Sequence, residues 1–321
     1  MTAGALVVLL VAALAVSALA GPRLLRHAAP ALTRLPRVAA GLLAGGTLAW
    51  VFTALALGPL LAWVVSGPAL LPGHAAEVCR RCLAAANPFS GTPLYTAVPA
   101  LLLLVLPALA ATVLGVAVVR EIRRRRRATA HTGRRLRDRG EPRTVLGHRV
   151  LVIDDPRPFA LTLPRRHGGI TASTGALRAL APDELAAVLA HEHAHLSQRH
   201  HLITTVMASV SRHLSWVPLI AAGQAALGHY LEIAADDAAR RRAGTPALAR
   251  ALLTLGEHAP APLDGALHML GPDRIRHLVR PSTGASGVLP ALAATAYLTG
   301  LVLLAGIVHV PYVVAALQGC A

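Results

Sequence analysis

The fold of this chain follows from residues 183–195, which read DELAAVLAHEHAH and end in the pattern H-E-x-x-H. On an α-helix His191 and His195 stand one turn apart on the same face, so both imidazoles can reach a single metal ion. Glu192 is rotated by about 100° from His191, toward the water that such a metal activates. The pattern therefore indicates a metal-activated hydrolase, with zinc as the metal.

The residues before the histidines predict where this helix begins and which face it buries. Pro182 suits the first helical position, and Asp183 and Glu184 place negative charge in the first turn, where the helix dipole favours it. The apolar stripe on which the helix packs consists of Leu185, Val188 and Leu189. His193 lies about 200° round the helix from His191, so we expect an ordinary, partly buried histidine that faces away from the metal.

The composition is typical of a membrane protein. Of the 321 residues, 55% are hydrophobic and 14% are charged, and the mean hydropathy is +0.56. A net charge of +16 could suit a nucleic-acid partner, but the chain has no Lys, aromatic residues make up 3%, and the arginines cluster beside apolar segments. We therefore expect no specific nucleic-acid binding and interpret the charge as a signal for membrane topology.

Four apolar stretches predict about four transmembrane helices, and they cover residues 5–20, 38–65, 101–119 and 288–317. The first could also be a cleaved signal peptide, but no positive residue precedes it and several arginines follow it. The third ends in an arginine-rich run at 120–127, interpreted as an anchor at the cytoplasmic headgroups rather than a nucleic-acid arm. The positive-inside rule then predicts a multi-pass protein of the cell membrane with both termini outside.

The three cysteines, Cys79, Cys82 and Cys320, all fall on the predicted exterior side. This location permits a disulfide between Cys320 and one of the other two. The C-x-x-C pair could instead be half of a metal or redox site, although the chain has no second pair.

Three short apolar pieces precede the histidine helix, at 150–153, 159–163 and 170–172, and they predict the strands of a small sheet. Strands that lead into a helix are typical of an α+β domain, and an edge strand there could pair with an extended peptide. The chain then divides into a membrane region with three transmembrane helices and a basic cytoplasmic end (1–139), a cytoplasmic-side catalytic domain (140–284) and a C-terminal transmembrane helix (285–321).

A catalytic zinc ion usually takes three protein ligands and leaves one position for water. Glu232 is the best candidate for the third ligand, because Asp236 lies one helical turn beyond it and could orient a ligand histidine through its other ring nitrogen. The same two residues could instead form an acidic helix face opposite the arginines at 240–242. We expect one zinc ion per chain.

The apolar stretch 202–227 separates the two halves of this site. If it crossed the membrane, His195 and Glu232 would lie on opposite sides and could not share a metal. A full crossing is opposed by three polar residues and a proline, which are Arg212, His213, Gln224 and Pro218. We predict a helical hairpin, or a helix against the membrane face, with both ends cytoplasmic. His200 and His201 fit no ligand spacing and are expected to be an interfacial pair.

These motifs resemble those of the M56 membrane zinc metallopeptidases, which include the protease portion of the β-lactam sensor-transducers, and more distantly those of the M48 type. The resemblance covers residues 150–278 and includes the segments 183–195, 216–218, 232–236 and 273–278. It implies a mainly α membrane protein with an inserted α+β, gluzincin-like zinc metalloprotease domain. It also implies His191, His195 and Glu232 as zinc ligands and Glu192 as the general base.

Two departures from the M56 pattern shape the expected function. Ala235 stands where the family often has Cys, and the chain stops at Ala321 without a penicillin-binding sensor domain, so we expect no β-lactam receptor role. By resemblance, the protein is an endopeptidase that cleaves a cytoplasmic or membrane protein, such as a transcriptional repressor. The alternatives are an M48-like quality-control protease of membrane proteins and a zinc-containing membrane scaffold without proteolysis.

An intact Glu192 counts against the scaffold, because a structural zinc site needs no base. The expected partners are a protein or peptide substrate and the lipid bilayer. The donor that stabilises the oxyanion is not assigned by the sequence, and the candidates are His229, Tyr230 and Arg274.

Overall fold

Helices dominate the computed structural model, which describes residues 3–66, 73–87, 94–256 and 286–318. The helices are α1 (Ala3–Leu32), α2 (Pro36–Leu55), α3 (Leu57–Val64), α4 (Gly73–Ala86), α5 (Ala100–Arg137), α6 (Thr174–Ala179), α7 (Pro182–Ser197), α8 (His200–Leu214), α9 (Pro218–Ala243), α10 (Thr245–Gly256) and α11 (Val288–Gln318). The strands are β1 (Val65–Ser66), β2 (Leu94–Tyr95), β3 (Gly140–Val145), β4 (His148–Ile153), β5 (Ala160–Thr162) and β6 (Ile170–Ser173). A short 3-10 helix, Arg165–His167, follows β5.

Among the described residues, four segments are long and apolar enough to cross a membrane: Gly4–Leu32, Pro36–Val64, Ala100–Arg137 and Val288–Ala315. They coincide with the four stretches that the sequence predicts. The second segment is divided at Ala56 into α2 and α3. Length and composition support several membrane-crossing helices, whereas their orientation stays a prediction.

The cysteines on the predicted exterior side differ in state. Cys82 is disulfide-bonded, and Cys79 is a free thiol. A disulfide is therefore present at Cys82, whereas its pairing with Cys320 stays a prediction, because Cys320 lies outside the described residues. The segment 273–278, which contributes to the family resemblance, also lies outside them.

The four-stranded sheet next to the histidine helix has the order β3-β4-β6-β5. Strands β4 and β6 are parallel, whereas both outer pairs are antiparallel. The three predicted strands correspond to β4, β5 and β6. The sequence patterns missed β3, because it is an edge strand with exposed side chains and a proline, Pro142, which is compatible only with an edge. A tight turn at Leu146 and Gly147, both with positive φ, joins β3 to β4.

Alternating side chains of the sheet pack against different helices. Val150 and Val152 of β4 join a cluster with Leu189 of α7, whereas Leu151 on the opposite face joins one that contacts Leu136 of α5. Because successive strand residues point to opposite faces, the sheet lies between α7 and the end of α5. This packing holds the histidine helix on one side of a rigid sheet.

Helix α9 lies between α7 and the apolar helices α1 and α2. Its buried residues Leu227 and Leu231 share a cluster with Leu32 of α1 and Leu43 of α2. Helices α8 and α9 pack against each other across a turn at 215–217, so the predicted helical hairpin is confirmed. The hairpin returns the chain to α7, and its location on one side of the membrane stays a prediction.

A buried carboxylate partly neutralises the arginine-rich run. Glu121 of α5 forms ion pairs with Arg124 at 2.9 Å and Arg125 at 2.8 Å, and Arg212 of α8 lies 3.6 Å away. The carboxylate therefore links α5 to the hairpin as well as to its own helix.

Candidate metal centre

The start of α7 is fixed by interactions of its acidic first turn. Pro182 is the first helical residue, as predicted, and Glu184 Oε2 accepts a hydrogen bond of 3.1 Å from the backbone N–H of Ala181. Arg250 of α10 donates to Glu184 Oε1 at 2.8 Å and to Asp183 Oδ2 at 2.7 Å. Together with the packing on the sheet, these contacts fix the rotation of α7 and thus the direction of its histidines.

The structure brings the three predicted ligands, His191, His195 and Glu232, into one buried group. The two Nε2 atoms lie 3.0 Å apart. Glu232 directs Oε2 to 3.5 Å from His191 Nε2 and Oε1 to 3.5 Å from His195 Nε2. All the potential ligand atoms lie within 4.8 Å of one another.

These separations suit a zinc ion. Bonds of about 2.0–2.1 Å in a tetrahedral site place neighbouring ligand atoms roughly 3.3 Å apart. The observed separations of 3.0 and 3.5 Å lie on either side of that value. Two imidazoles and one carboxylate leave a fourth position for water, which is the arrangement of a catalytic zinc site. That these residues bind zinc stays a prediction.

The electrostatics of the group favour a neutral His195. Burial lowers the pKa of His195 well below its usual value, and the neighbouring histidines lower it further, whereas the charge of Glu232 opposes the shift. A neutral imidazole keeps the lone pair that a metal needs. His195 is 1% exposed, so bulk water does not compete for its nitrogens.

Asp236 lies where it can orient one of the histidines. Its Oδ1 is 3.0 Å from His191 Nδ1, the ring nitrogen that faces away from Glu232. Asp236 and Glu232 are one turn apart on α9 and are both buried. A carboxylate at this nitrogen favours the tautomer that leaves Nε2 for the metal.

His200 reaches the same group, a contact that the sequence analysis missed. Its Nδ1 lies 2.8 Å from Nδ1 of His195, and its ring is 2% exposed. The prediction of an interfacial pair was therefore wrong for His200. Arg199, at the turn between α7 and α8, has a φ of +55°, and this left-handed residue reverses the chain so that His200 folds back onto His195. Burial is also the main reason why the pKa of His200 falls to about 4.

The predicted base, Glu192, is held by a strand residue. Thr162 Oγ1 lies 2.6 Å from Glu192 Oε2, to which it donates, and 3.0 Å from the backbone O of Glu192. Thr162 ends β5, the edge strand beside α7. The sequence offered no signal for this contact beyond the position of Thr162 in a predicted strand that precedes the motif.

His201 likewise belongs to the site and not to an interfacial pair. Burial lowers the pKa of His201 to about 4, and the nearby backbone of Thr162 opposes this shift. Its Nε2 is buried and has no hydrogen-bond partner within the described part of the chain. His201 therefore lies near the end of β5.

The remaining predicted residues lie apart from the group. His193 is exposed rather than partly buried, and its ring packs against His148 with centroids 5.3 Å apart, so it faces away from the metal group as predicted. Tyr230 is buried in the cluster with α1 and α2, and the ring of His229 lies 5.8 Å from it. Arg274 lies outside the described residues. The oxyanion donor therefore stays unassigned.

Residues 148–235 match the sequence model of peptidase family M48. Two curated relatives, each named "Protease HtpX homolog", come from Thermodesulfovibrio yellowstonii, 35% identical over 75 residues, and Burkholderia thailandensis, 39% identical over 69 residues. These alignments cover 23% and 21% of this chain and 27% and 24% of the relatives. The chain thus spans about a quarter of the length of the curated relatives it matches. No solved structure matches the chain significantly.

The matched segment runs from β4 into α9 and contains all three predicted metal ligands. The comparisons do not support the expected resemblance to the M56 family. They support the M48 type, which the motifs indicated only as a more distant resemblance, so the expectation is corrected from M56 to M48. The segment that holds the candidate metal centre is thus similar to peptidase family M48, a family of metallopeptidases.

Proposed function

We propose that this protein is a zinc-dependent membrane endopeptidase of the M48 type that acts in the quality control of membrane proteins. The observation that carries the proposal is the buried group of His191, His195 and Glu232 with Glu192 beside it. The match to family M48 favours this function over cleavage of a transcriptional repressor, which rested on the M56 resemblance.

The donor set fits zinc, with His191 and His195 as nitrogen ligands and Glu232 as the oxygen ligand, in a gluzincin-like arrangement. When bound, zinc lowers the pKa of water and polarises a substrate carbonyl. Asp236 and His200 hold the outer nitrogens of the two imidazoles, so that both rings keep their Nε2 atoms directed at Glu232.

Glu192 acts as the proton carrier of the reaction. As general base it removes a proton from the attacking water, and as general acid it delivers that proton to the nitrogen of the leaving amine. The hydroxyl of Thr162 binds Oε2 and fixes the orientation of the carboxylate for both transfers. A purely structural metal site needs no such group, and this difference separates the proposal from a scaffold role.

The edge strand β5 offers backbone groups to an extended polypeptide. Phe159 O and Leu163 N form hydrogen bonds on the β6 side of this segment. Because directions alternate along a strand, Ala160 and Thr162 direct their backbone groups to the outer edge. The ring of His201 lies near the backbone of Thr162, and the groups of Ala160 lie along the same edge. A substrate strand aligned there runs next to Glu192.

The packing of α9 supports a substrate close to the membrane. This helix contributes Glu232 to the site and packs on α1 and α2, which belong to candidate membrane spans. The metal centre is therefore built directly on the apolar helices. We place the site on the cytoplasmic side, with both chain termini outside, on the basis of the arginine-rich run at the end of the third span.

Zinc content and proteolysis, measured on detergent-purified protein, test the proposal. We expect one equivalent of zinc and cleavage of an unfolded membrane-protein substrate by the wild type, and zinc without cleavage in Glu192→Gln. Glu232→Ala should lose zinc, whereas His193→Ala, a change of the exposed histidine within the same motif, should keep both zinc and activity.

Four results would contradict the proposal. Zinc retained at full affinity by Glu232→Ala would exclude it as a ligand, and cleavage by Glu192→Gln would exclude its role as base. Zinc binding by a wild type that cleaves nothing would favour the scaffold. Cleavage of one folded protein at a single site, with unfolded membrane proteins left intact, would restore the signalling function.

A further inference from the structure

A cavity of about 700 Å³ adjoins the metal centre, and its wall is strongly basic. It lies between the end of the apolar part of α5, the segment after β5 and the turn from α7 to α8, and His195 forms part of its lining. The arginines that line it are Arg124, Arg125, Arg126, Arg165, Arg166 and Arg199. None of the lining residues within the described part of the chain is acidic.

The positive charge of this cavity is only partly compensated. Glu121 forms ion pairs with Arg124 and Arg125, at the α5 side of the wall. One carboxylate cannot neutralise six guanidinium groups. Arg165 and Arg166 on the opposite side are both exposed. The cavity therefore attracts anionic groups, and it does so directly beside the candidate ligands.

The buried part of the cavity also contains polar side-chain atoms that a ligand could bind. His201 and Thr204 both line the cavity. Nε2 of His201 and Oγ1 of Thr204 are buried and have no hydrogen-bond partner within the described residues. A neutral imidazole has one N–H donor and one acceptor nitrogen, and the hydroxyl of Thr204 can donate or accept. A ligand that fills this cavity well therefore brings polar groups for these two side chains as well as negative charge.

We propose that this cavity binds an acidic stretch of the substrate polypeptide close to the scissile bond, a proposal that rests on the proposed protease function. Backbone N–H and C=O groups of a peptide match His201 and Thr204, and Asp or Glu side chains supply carboxylates for the arginines.

The route of the chain past the site supports this assignment. The 3-10 helix with Arg165 and Arg166 follows β5 after two residues. A peptide aligned on the outer edge of β5 therefore passes Glu192 and continues toward these two arginines. The enzyme would then select unfolded segments in which acidic residues lie close to the cleaved bond.

The test is a binding measurement that does not depend on cleavage. The zinc-loaded Glu192→Gln variant in detergent is titrated with a labelled extended peptide that contains several Glu residues, and with the same peptide in which every Glu is replaced by Gln. Fluorescence anisotropy reports both affinities. Arg165→Gln/Arg166→Gln is compared with Arg241→Gln/Arg242→Gln, a neighbouring pair of exposed arginines that does not line the cavity.

We expect the Glu peptide to bind about tenfold more tightly than the Gln peptide at low salt, and this preference to weaken as salt is added. The preference should largely disappear in the Arg165/Arg166 variant and persist in the Arg241/Arg242 variant. If the first variant does not fold, as judged by its zinc content, Arg126→Gln provides the same comparison from the α5 wall.

Equal affinities for the two peptides, or equal losses in the two double variants, would overturn the proposal. It would also be overturned if phosphatidylglycerol, but not phosphatidylcholine, added to the detergent micelles displaced the Glu peptide at constant salt, because the cavity would then be a lipid site. A wild type that cleaves peptides without preferring the acidic one refutes this inference alone. A wild type that cleaves no peptide refutes the protease function, while the binding preference remains measurable.

Discussion

Nδ1 of His195 lies 2.8 Å from Nδ1 of His200, and this contact determines which nitrogen of His195 can face a metal. If His195 uses Nε2 as a ligand, its Nδ1 carries the proton and donates to His200. Nε2 of His200 then donates to Gln198 Oε1, 3.2 Å away, which also accepts from Nε of Arg37 at 3.0 Å. All three contacts have consistent donors and acceptors, so the tautomer of His195 is coupled to the first turn of α2.

Replacement of His200 by Ala should weaken zinc binding. The outer nitrogen of His195 would lose its acceptor, and such partners typically change metal affinity by about 10-fold to 100-fold. Competition with a chromophoric chelator measures the affinity. The control is His213→Ala, which removes an exposed histidine from the last turn of the same helix and should leave the affinity unchanged. Equal affinities of the two variants would show that His200 only fills space.

Replacement of Asp236 by Asn tests the orientation of the other ligand histidine. Asn keeps an oxygen for His191 Nδ1 but removes the negative charge, so we expect zinc affinity to fall by about tenfold. Asp237→Asn is the matched control, because its carboxylate belongs to an ion pair of 3.3 Å with Arg240. A comparable loss in both variants would attribute the effect to the net charge of α9 rather than to the contact with His191.

Replacement of Thr162 by Val should lower the turnover rate and leave zinc content intact. The change removes the hydroxyl that binds Glu192 Oε2, and hydrogen bonds to charged groups contribute about 1.5–3 kcal/mol, which corresponds to roughly a 10-fold to 150-fold loss. Ser at this position should restore much of the rate. The kcat and KM of a quenched fluorescent peptide provide the measurement.

The control for this hydroxyl is Thr171→Val in the adjacent strand β6. Thr171 Oγ1 is buried without a hydrogen-bond partner among the described residues, so its loss should be neutral or slightly stabilising. A fall in kcat as large in Thr171→Val as in Thr162→Val would mean that the sheet, and not the contact with Glu192, controls the rate.

Much of the site was predictable because its main members lie on regular helices. His191, Glu192 and His195 have a spacing that a helix converts into one geometry, and the same holds for Glu232 and Asp236. The hairpin between these helices followed from a physical constraint, since two ligands on opposite sides of a membrane cannot share an ion. For Glu232, spacing alone left an acidic helix face as an alternative, and the family resemblance was needed to choose it as a ligand.

The contacts made through irregular backbone were not predictable in this way. The position of His200 depends on Arg199, a non-glycine residue with positive φ that no turn motif announces. The contact of Thr162 with Glu192 depends on how β5 packs beside α7, which strand propensity does not determine. Strand β3 was missed because its exposed residues, including Pro142, carry no alternating pattern.

A final prediction concerns the wall of the basic cavity, where α5 passes the 3-10 helix. A Cβ atom at Gly133 would clash with the backbone O of His167, and backbone moves less readily than a side chain. Gly133→Ala should therefore destabilise the protein by about 1–3 kcal/mol and lower its apparent Tm by several degrees. Gly115→Ala on the same helix meets no heavy atom within 4 Å and should be neutral or stabilising. Thermal unfolding of both variants in one detergent tests the difference, and equal Tm values would show that the two helices are not in close contact.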